Sequence, residues 1–205
     1  MTEVGTEGLR GLIEEQRFAE ALEAAAAVLL RTPESREALY ARAHSQRRLG
    51  DIRAALETLV RLERLHPRFS RTFQERGFCR VALRQADEAI EAFERAVALC
   101  PVLPVSWSML EQLYRMKGQA TEAGRAAARA ARLRDLPPEV VTANALFSDG
   151  ELGRAEEVIR GFLVRHGHHI EAMRLLARIA MEREVHTDAQ TLLEAILEVM
   201  PDDQA

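Results

Sequence analysis

Three histidines, His166, His168 and His169, stand together in the sequence RHGHH and form its densest group of metal-binding side chains. A zinc site takes about four ligands from histidine, cysteine and carboxylate side chains at short, regular spacing. No cysteine or carboxylate stands nearby at that spacing. The sequence therefore favours an ordinary turn here over a metal site.

The other residues able to do chemistry are scattered. Cys79 and Cys100 form no CxxC pair, which predicts buried free thiols and a reducing compartment. His44, His66 and His186 belong to no Ser/His/Asp or Cys/His arrangement. We therefore predict no catalytic residue, no cofactor and no bound metal, and hence no enzyme activity in this chain.

Composition predicts a folded chain. It has 205 residues, of which 47% are hydrophobic and 29% charged, enough for a sizeable core. Its apolar runs are far shorter than the roughly 20 residues that cross a bilayer, and its start lacks the basic and apolar blocks of a signal peptide. We expect a cytoplasmic protein that does not contact membranes.

Charge is balanced overall, with a net value of −4, but the stretch from Arg36 to Arg84 has 12 arginines and five acids. Such an excess suits an acidic partner, although an ordinary solvated surface explains it as well. Few aromatic residues interleave with it (Tyr40, Phe69, Phe73 and Phe78), and Phe73 is predicted to be core. A nucleic-acid stacking surface is disfavoured, and an acidic peptide is the better candidate.

Two residue types recur with one period. Successive prolines lie 34 residues apart at Pro33, Pro67 and Pro101. An alanine series keeps step with them through Ala21, Ala55, Ala89, Ala123, Ala155 and Ala189, with one interval of 32. A fixed period of this length is the mark of a repeat architecture.

Each repeat is predicted to be two helices and a turn. In the third, apolar residues follow the helical i, i+3, i+4, i+7 pattern at Ala89, Ile90, Phe93, Ala96 and Val97. Gly50, Gly118 and Gly150 mark the turns, where a helix C-cap needs positive φ. The recurring alanines should lie where paired helices cross, facing the small residues Ala43, Gly77, Ala143 and Ala177.

Residues in the third and fourth repeats resemble a known family. Trp107, Leu110 and Tyr114, followed by Gly118 and Ala123, are similar to the first-helix and turn signature of the tetratricopeptide repeat. Ala89, Phe93 and Ala96, followed by Pro101, resemble its second helix. The resemblance implies an all-α fold, a right-handed superhelical solenoid of about six helix-turn-helix units. Their expected ranges are 2–35, 36–69, 70–103, 104–135, 136–169 and 170–203, a single array over 1–205.

The same resemblance implies a ligand groove lined by first-helix residues outside the packing stripe. These are Tyr40, His44, Arg47, Gln74, Phe78, Ser108, Gln112, Arg115, Asn144, Phe147, Arg174 and Arg178. Aromatic, amide and arginine side chains suit an extended peptide with acidic residues. An ordinary wet surface remains the alternative.

Two functions are therefore open. The first is a protein-interaction scaffold that binds a partner segment in the groove. The second is the repeat arm of a larger, sulfotransferase-like enzyme, because the stretch from Trp107 to Ala180 is similar to repeat regions that precede such domains in some bacterial proteins. The last helix carries apolar groups on more than one side (Leu192, Leu193, Ile196, Leu197 and Met200), which predicts further repeats or a homodimer at that edge.

Overall fold

The computed structural model describes residues 6–199, with side chains described for 8–197, and every regular element in that range is a helix. The helices are α1 (Thr6–Glu14), α2 (Phe18–Arg31), α3 (Arg36–Arg48), α4 (Ile52–Leu65), α5 (Ser70–Ala82), α6 (Ala86–Leu99), α7 (Pro104–Met116), α8 (Ala120–Arg134), α9 (Pro138–Ser148), α10 (Leu152–His166), α11 (Ile170–Glu182) and α12 (His186–Val199). The prediction of an all-α fold with about twelve helices is confirmed.

Local chemistry fixes where several helices begin. Ser35 caps α3 by accepting a hydrogen bond from the Ala38 backbone N–H at 3.3 Å, and Asp51 caps α4 by accepting from Ala54 at 3.1 Å. These side chains satisfy backbone donors that have no partner inside the first turn. Pro138 occupies the first turn of α9, where its missing N–H costs nothing.

Every first helix ends in the same left-handed turn. One residue just after each first helix has positive φ, namely Gln16 (59°), Gly50 (90°), Arg84 (58°), Gly118 (73°), Gly150 (79°) and Glu184 (62°), and Gly167 (71°) has positive φ after the second helix α10. In all six turns, the backbone N–H of the following residue donates to the carbonyl five residues before it, at 2.9 Å. This bond is typical of the Schellman C-cap. The glycine prediction is confirmed at Gly50, Gly118 and Gly150, and three other repeats make the same turn without glycine.

Small residues lie where helices meet. The recurring alanines Ala21, Ala55, Ala89, Ala123, Ala155 and Ala189 are all buried, each at most 3% exposed. Gly77 of the first helix α5 is so close to Phe93 of α6 that an added Cβ would lie 2.7 Å from the ring. These helices therefore pack at a distance that only small residues permit.

The chain divides into two compact units. Unit 1 comprises Met1–Pro101 and Val105–Ala127, and unit 2 comprises Val102–Pro104 and Ala128–Ala205. In unit 1, a core of α1 to α5 includes Leu39, Leu59 and Leu62. In unit 2, a core of α9 to α11 includes Val140, Ile159 and Ile179. The expected boundaries of the six repeats within one array stay a prediction.

The last described helix keeps both buried and exposed apolar residues. Leu192 packs on the unit 2 core and Ile196 is buried, whereas Leu193 and Leu197 remain about half exposed. Met200 lies outside the described residues. At the other end of the chain α1 is formed, and its Leu9 is 1% exposed. None of the described helices is long and apolar enough to cross a membrane.

Candidate functional site

In each unit, the candidate site is the surface of the first helices that carries the predicted groove residues, on α3, α5 and α7 in unit 1 and, separately, on α9 and α11 in unit 2. Tyr40, His44 and Arg47 are spaced i, i+4, i+7 on α3, and Gln74 and Phe78 are spaced i, i+4 on α5. Side chains at this spacing share one side of a helix. We call this surface the first-helix face.

A buried carboxylate, which the sequence analysis missed, joins α3 to α5. Glu75 is 2% exposed, and no other charged residue with a described side chain is buried. Arg47 donates from Nε to Glu75 Oε2 at 2.6 Å, and His44 donates from Nδ1 to Glu75 Oε1 at 3.0 Å. Two predicted ligand-binding residues are therefore already bonded to the protein itself.

The environment of Glu75 keeps its carboxyl ionised. Burial by itself would raise the pKa of Glu75, but the hydrogen bond and charge of His44 and the charge and hydrogen bond of Arg47 outweigh burial and lower that pKa. An ionised carboxylate accepts hydrogen bonds and donates none, so the proton in the contact with His44 lies on its Nδ1.

The Glu75 carboxylate also affects its neighbours. Burial, followed by the charge of Glu75, raises the pKa of the Cys79 thiol to about 11. Because a thiol reacts as its thiolate, Cys79 is protonated and unreactive at neutral pH. Burial, again followed by the charge of Glu75, raises the pKa of the Tyr40 hydroxyl.

Arginines lie over aromatic rings on this face. The Arg47 guanidinium lies 4.8 Å from the centre of the Phe78 ring, and Phe78 meets Phe93 edge-on at 5.3 Å. Arg71 lies 5.8 Å from the centre of the Tyr40 ring. Such cation–π contacts hold a guanidinium flat against the surface.

Toward α7, the predicted residues become more exposed. Gln74 donates from Nε2 to Ser106 Oγ at 3.0 Å, which links α5 to α7. Ser108 is half-buried and Gln112 is exposed. The Arg115 side chain is 68% exposed and pairs with Glu111 at 2.8 Å. Gln112 and Arg115 are thus accessible to a ligand.

In unit 2, the predicted residues divide into a buried and an exposed set. Asn144 is buried, and its amide donates to the Val140 carbonyl of its own helix at 2.9 Å. Arg178 lies 4.5 Å from the centre of the half-buried Phe147 ring. Arg174 is exposed and lies 3.7 Å from Glu171. The exposed arginines can therefore meet a ligand, whereas the Asn144 amide serves its helix.

The histidine group packs around an aromatic ring. His166 stacks on Phe162 at 4.6 Å, and His169 meets the same ring edge-on at 5.3 Å. His169 Nδ1 also accepts a hydrogen bond from the Ala172 N–H at 3.3 Å and so caps α11. Among residues with described side chains, no three histidine, cysteine or carboxylate residues are arranged to hold a metal ion.

A sequence signal for Glu75 exists in the repeat itself. Glu75 stands one 34-residue period after Ala41, which is 1% exposed. A carboxylate at a position that is apolar in the preceding repeat needs a buried partner. Its partners His44 and Arg47 come from the neighbouring first helix, so the signal requires the packing of two repeats.

Comparison with known proteins identifies the fold. Residues 40–104 match the sequence profile described as "Tetratricopeptide repeat". No curated protein matches the sequence. Among solved structures, the chain is similar to PilF of Pseudomonas aeruginosa, with a TM-score of 0.57 and 18% identity over 97% of this chain and 91% of that one.

Two further structures have the same fold. PilW, a type IV pilus biogenesis factor, matches with a TM-score of 0.56 and 17% identity, over 97% of this chain and 93% of its own. YrrB, described as a TPR protein with an unusual peptide-binding site, matches with a TM-score of 0.53 and 18% identity over 89% and 95%. Residues 40–104 are therefore tetratricopeptide repeats, and the helical pairs described on either side of them have the fold of that family.

Proposed function

We propose that this chain is a protein-interaction scaffold that binds an extended segment of a partner protein on the first-helix face of either unit. The observation that carries the proposal is the pairing of half-buried aromatic rings with arginines there, Phe78 with Arg47 and Phe147 with Arg178. Such pairs offer apolar area and N–H donors together, which suits a peptide. The similarity of the fold to YrrB, a protein with a peptide-binding site, supports the same reading.

The partner segment is proposed to be acidic. Arg115, Arg174 and Arg178 are exposed on the first-helix face and stand where a ligand can reach them. A charge-assisted hydrogen bond to a ligand carboxylate is worth about 1.5–3 kcal/mol, whereas an exposed ion pair is worth less than about 1 kcal/mol. The loss of affinity on substitution by alanine therefore shows whether an arginine bonds a ligand carboxylate or only forms an exposed ion pair.

The alternative function, an arm of a sulfotransferase-like enzyme, receives no support from these comparisons. The repeat fold is one that generally carries no catalysis, and we propose no activity for this chain. A homodimer or further repeats at the α12 edge remain proposals, supported by the half-exposed Leu193 and Leu197. The cytoplasm remains the proposed compartment.

The test is selection of 12-residue peptides from a random display library on the whole chain. We expect an enriched pool rich in Asp and Glu, whose binding weakens with salt. In Arg115→Ala and Arg174→Ala, affinity for the pool should fall by about 1.5–3 kcal/mol wherever the arginine bonds a ligand carboxylate. A pool that is neutral or basic, or no enrichment at all, would refute the proposal.

The control arginine has to be chosen from the structure. Arg61 of the second helix α4 is unsuitable as a control, because it donates to the Pro33 carbonyl at 2.5 Å and so has a structural role. Arg53 of α4 has a side chain that is 91% exposed and, among the described residues, pairs only with Glu57, one helical turn away. Arg53→Ala should leave the affinity unchanged, and equal losses in all three variants would point to general charge attraction.

A further inference from the structure

The contact between Arg47 and Glu75 decides which ligand chemistry suits the surface between α3 and α5. The side chains are 17% and 3% exposed, and one positive and one negative charge meet at 2.6 Å. This pair is neutral by itself, and the other partner of Glu75, His44, bonds the second carboxylate oxygen, Oε1, at 3.0 Å. An anion approaching Arg47 therefore also approaches an ionised carboxylate within the same contact.

Arg47 nevertheless keeps hydrogen-bond donors for a ligand. Its Nε is bonded to Glu75, and its guanidinium carbon lies over the Phe78 ring at 4.8 Å from the ring centre. Within the part of the chain that the structure describes, its two terminal nitrogens make no further hydrogen bond. A guanidinium held in this way presents a fixed fork of N–H groups.

We propose, on the basis of the proposed function, that this fork of N–H groups binds the uncharged main-chain carbonyls of the partner segment. Glu75 is then the specificity-determining residue that disfavours carboxylates at Arg47. A ligand carboxylate on the fork would lie about one guanidinium width from the Glu75 carboxylate, and two negative charges that close repel strongly away from bulk water. A peptide carbonyl carries no net charge, so it gains the hydrogen bonds without the repulsion.

Unit 2 provides a natural comparison. Arg178 lies over Phe147 at 4.5 Å, much as Arg47 lies over Phe78 at 4.8 Å. Among the described residues, no carboxylate bonds Arg178. Carboxylates are therefore expected to bind at Arg178, and uncharged main-chain carbonyls at Arg47.

The experiment uses acetate and acetamide, which have nearly the same shape and differ in charge. Each is titrated into the whole ¹⁵N-labelled chain at constant ionic strength, while the side-chain NMR signals of Arg47 and Arg178 are followed. In the wild type, acetate should perturb Arg178 more than acetamide does, and Arg47 should show no such preference. A clear acetate preference at Arg47 of the wild type would overturn the proposal.

The decisive variant is Glu75→Gln, which removes the charge and keeps the shape. It should raise the acetate affinity at Arg47 by about 10-fold and leave acetamide unchanged, because only the anion feels the lost repulsion. An unchanged acetate affinity would contradict the proposal. If Glu75 only supported the fold, Glu75→Gln would change the affinities for acetate and acetamide by the same factor.

A matched control comes from a similar trio elsewhere in unit 1. Arg76 lies over Phe73 at 5.3 Å and pairs with Glu63, which is more exposed. Glu63→Gln should leave the probe preference at Arg47 unaltered. Glu75→Asp keeps the charge and should keep the wild-type pattern.

The outcomes stay separable if a variant fails to fold. The wild-type comparison of Arg47 with Arg178 decides the proposal without any substitution. Failure of the peptide selection together with the expected probe pattern would refute the proposed function and leave the specificity of the Arg47 fork intact. An enriched acidic peptide pool together with an acetate preference at Arg47 of the wild type would refute the specificity of the Arg47 fork and support the scaffold function.

Discussion

The left-handed turns that end each first helix give a quantitative prediction about Arg84. Arg84 has a φ of 58° at a position where the next repeat uses Gly118. A side chain with a Cβ pays about 1–2 kcal/mol for this conformation, while glycine loses about 0.5–1 kcal/mol of extra chain entropy on folding. The Arg84 side chain is exposed and makes no hydrogen bond or ion pair among the described residues. Arg84→Gly should therefore raise the free energy of unfolding by about 0.5–1 kcal/mol.

Urea unfolding followed by circular dichroism measures this change, provided that the slope against urea stays constant. Arg84→Ala separates the backbone from the side chain, because alanine keeps the Cβ and should change stability by less than about 0.5 kcal/mol. Gly50→Ala, with no atom within 4 Å of the added Cβ, should destabilise through φ alone. Gly124→Ala, within α8 and equally uncrowded, should stabilise. If Arg84→Gly destabilised the chain as much as Gly50→Ala does, the reasoning from φ would be refuted.

Three further outcomes are expected. Ala89→Leu and Ala123→Leu should each lower the free energy of unfolding by about 1–3 kcal/mol in the same urea assay, because both alanines are buried between packed helices. Two neutral results would contradict this packing. Gly77→Ala should cost about 1–3 kcal/mol because its Cβ would meet the Phe93 ring, and replacing Phe93 by leucine in the same chain should recover part of that loss if the ring is the cause. The fold lowers the pKa of Glu75, so the ionised Glu75 carboxylate contributes fully to stability above its unfolded pKa of about 4.3. This contribution is lost as pH falls through the lower pKa of the folded state. Urea midpoints measured from pH 6 to pH 2 should therefore depend less on pH in Glu75→Gln than in the wild type.

Much of the fold follows from local sequence signals. The alanine period located six buried positions on the second helices, and glycine located three of the six left-handed turns. The other three, at Gln16, Arg84 and Glu184, carry no residue that favours positive φ. There the turn is imposed by the backbone bonds that close the helix and by the packing of the next helix, which single-residue preferences do not contain.

The candidate site was less predictable because its chemistry depends on contacts between repeats. Helical spacing placed Tyr40, His44 and Arg47 on one side of α3. It could not reveal that Glu75 of the next first helix already binds two of them. Likewise, the spacing of Asn144 resembles that of a groove residue, but its amide bonds its own helix because the position is buried.

The position of Trp107 has a consequence for spectroscopy. It is the only tryptophan in the chain, and its indole N–H donates to the Pro101 carbonyl at 2.9 Å, within unit 1. Its emission therefore reports changes around Trp107 and Pro101 of unit 1, whereas helical circular dichroism reports all of the repeats together. A fluorescence transition that precedes or follows the dichroism transition would show the two units melting in separate steps, and a coincident one would show them melting as a single cooperative body. The unmodified chain thus carries its own optical label for the cooperativity of the repeats.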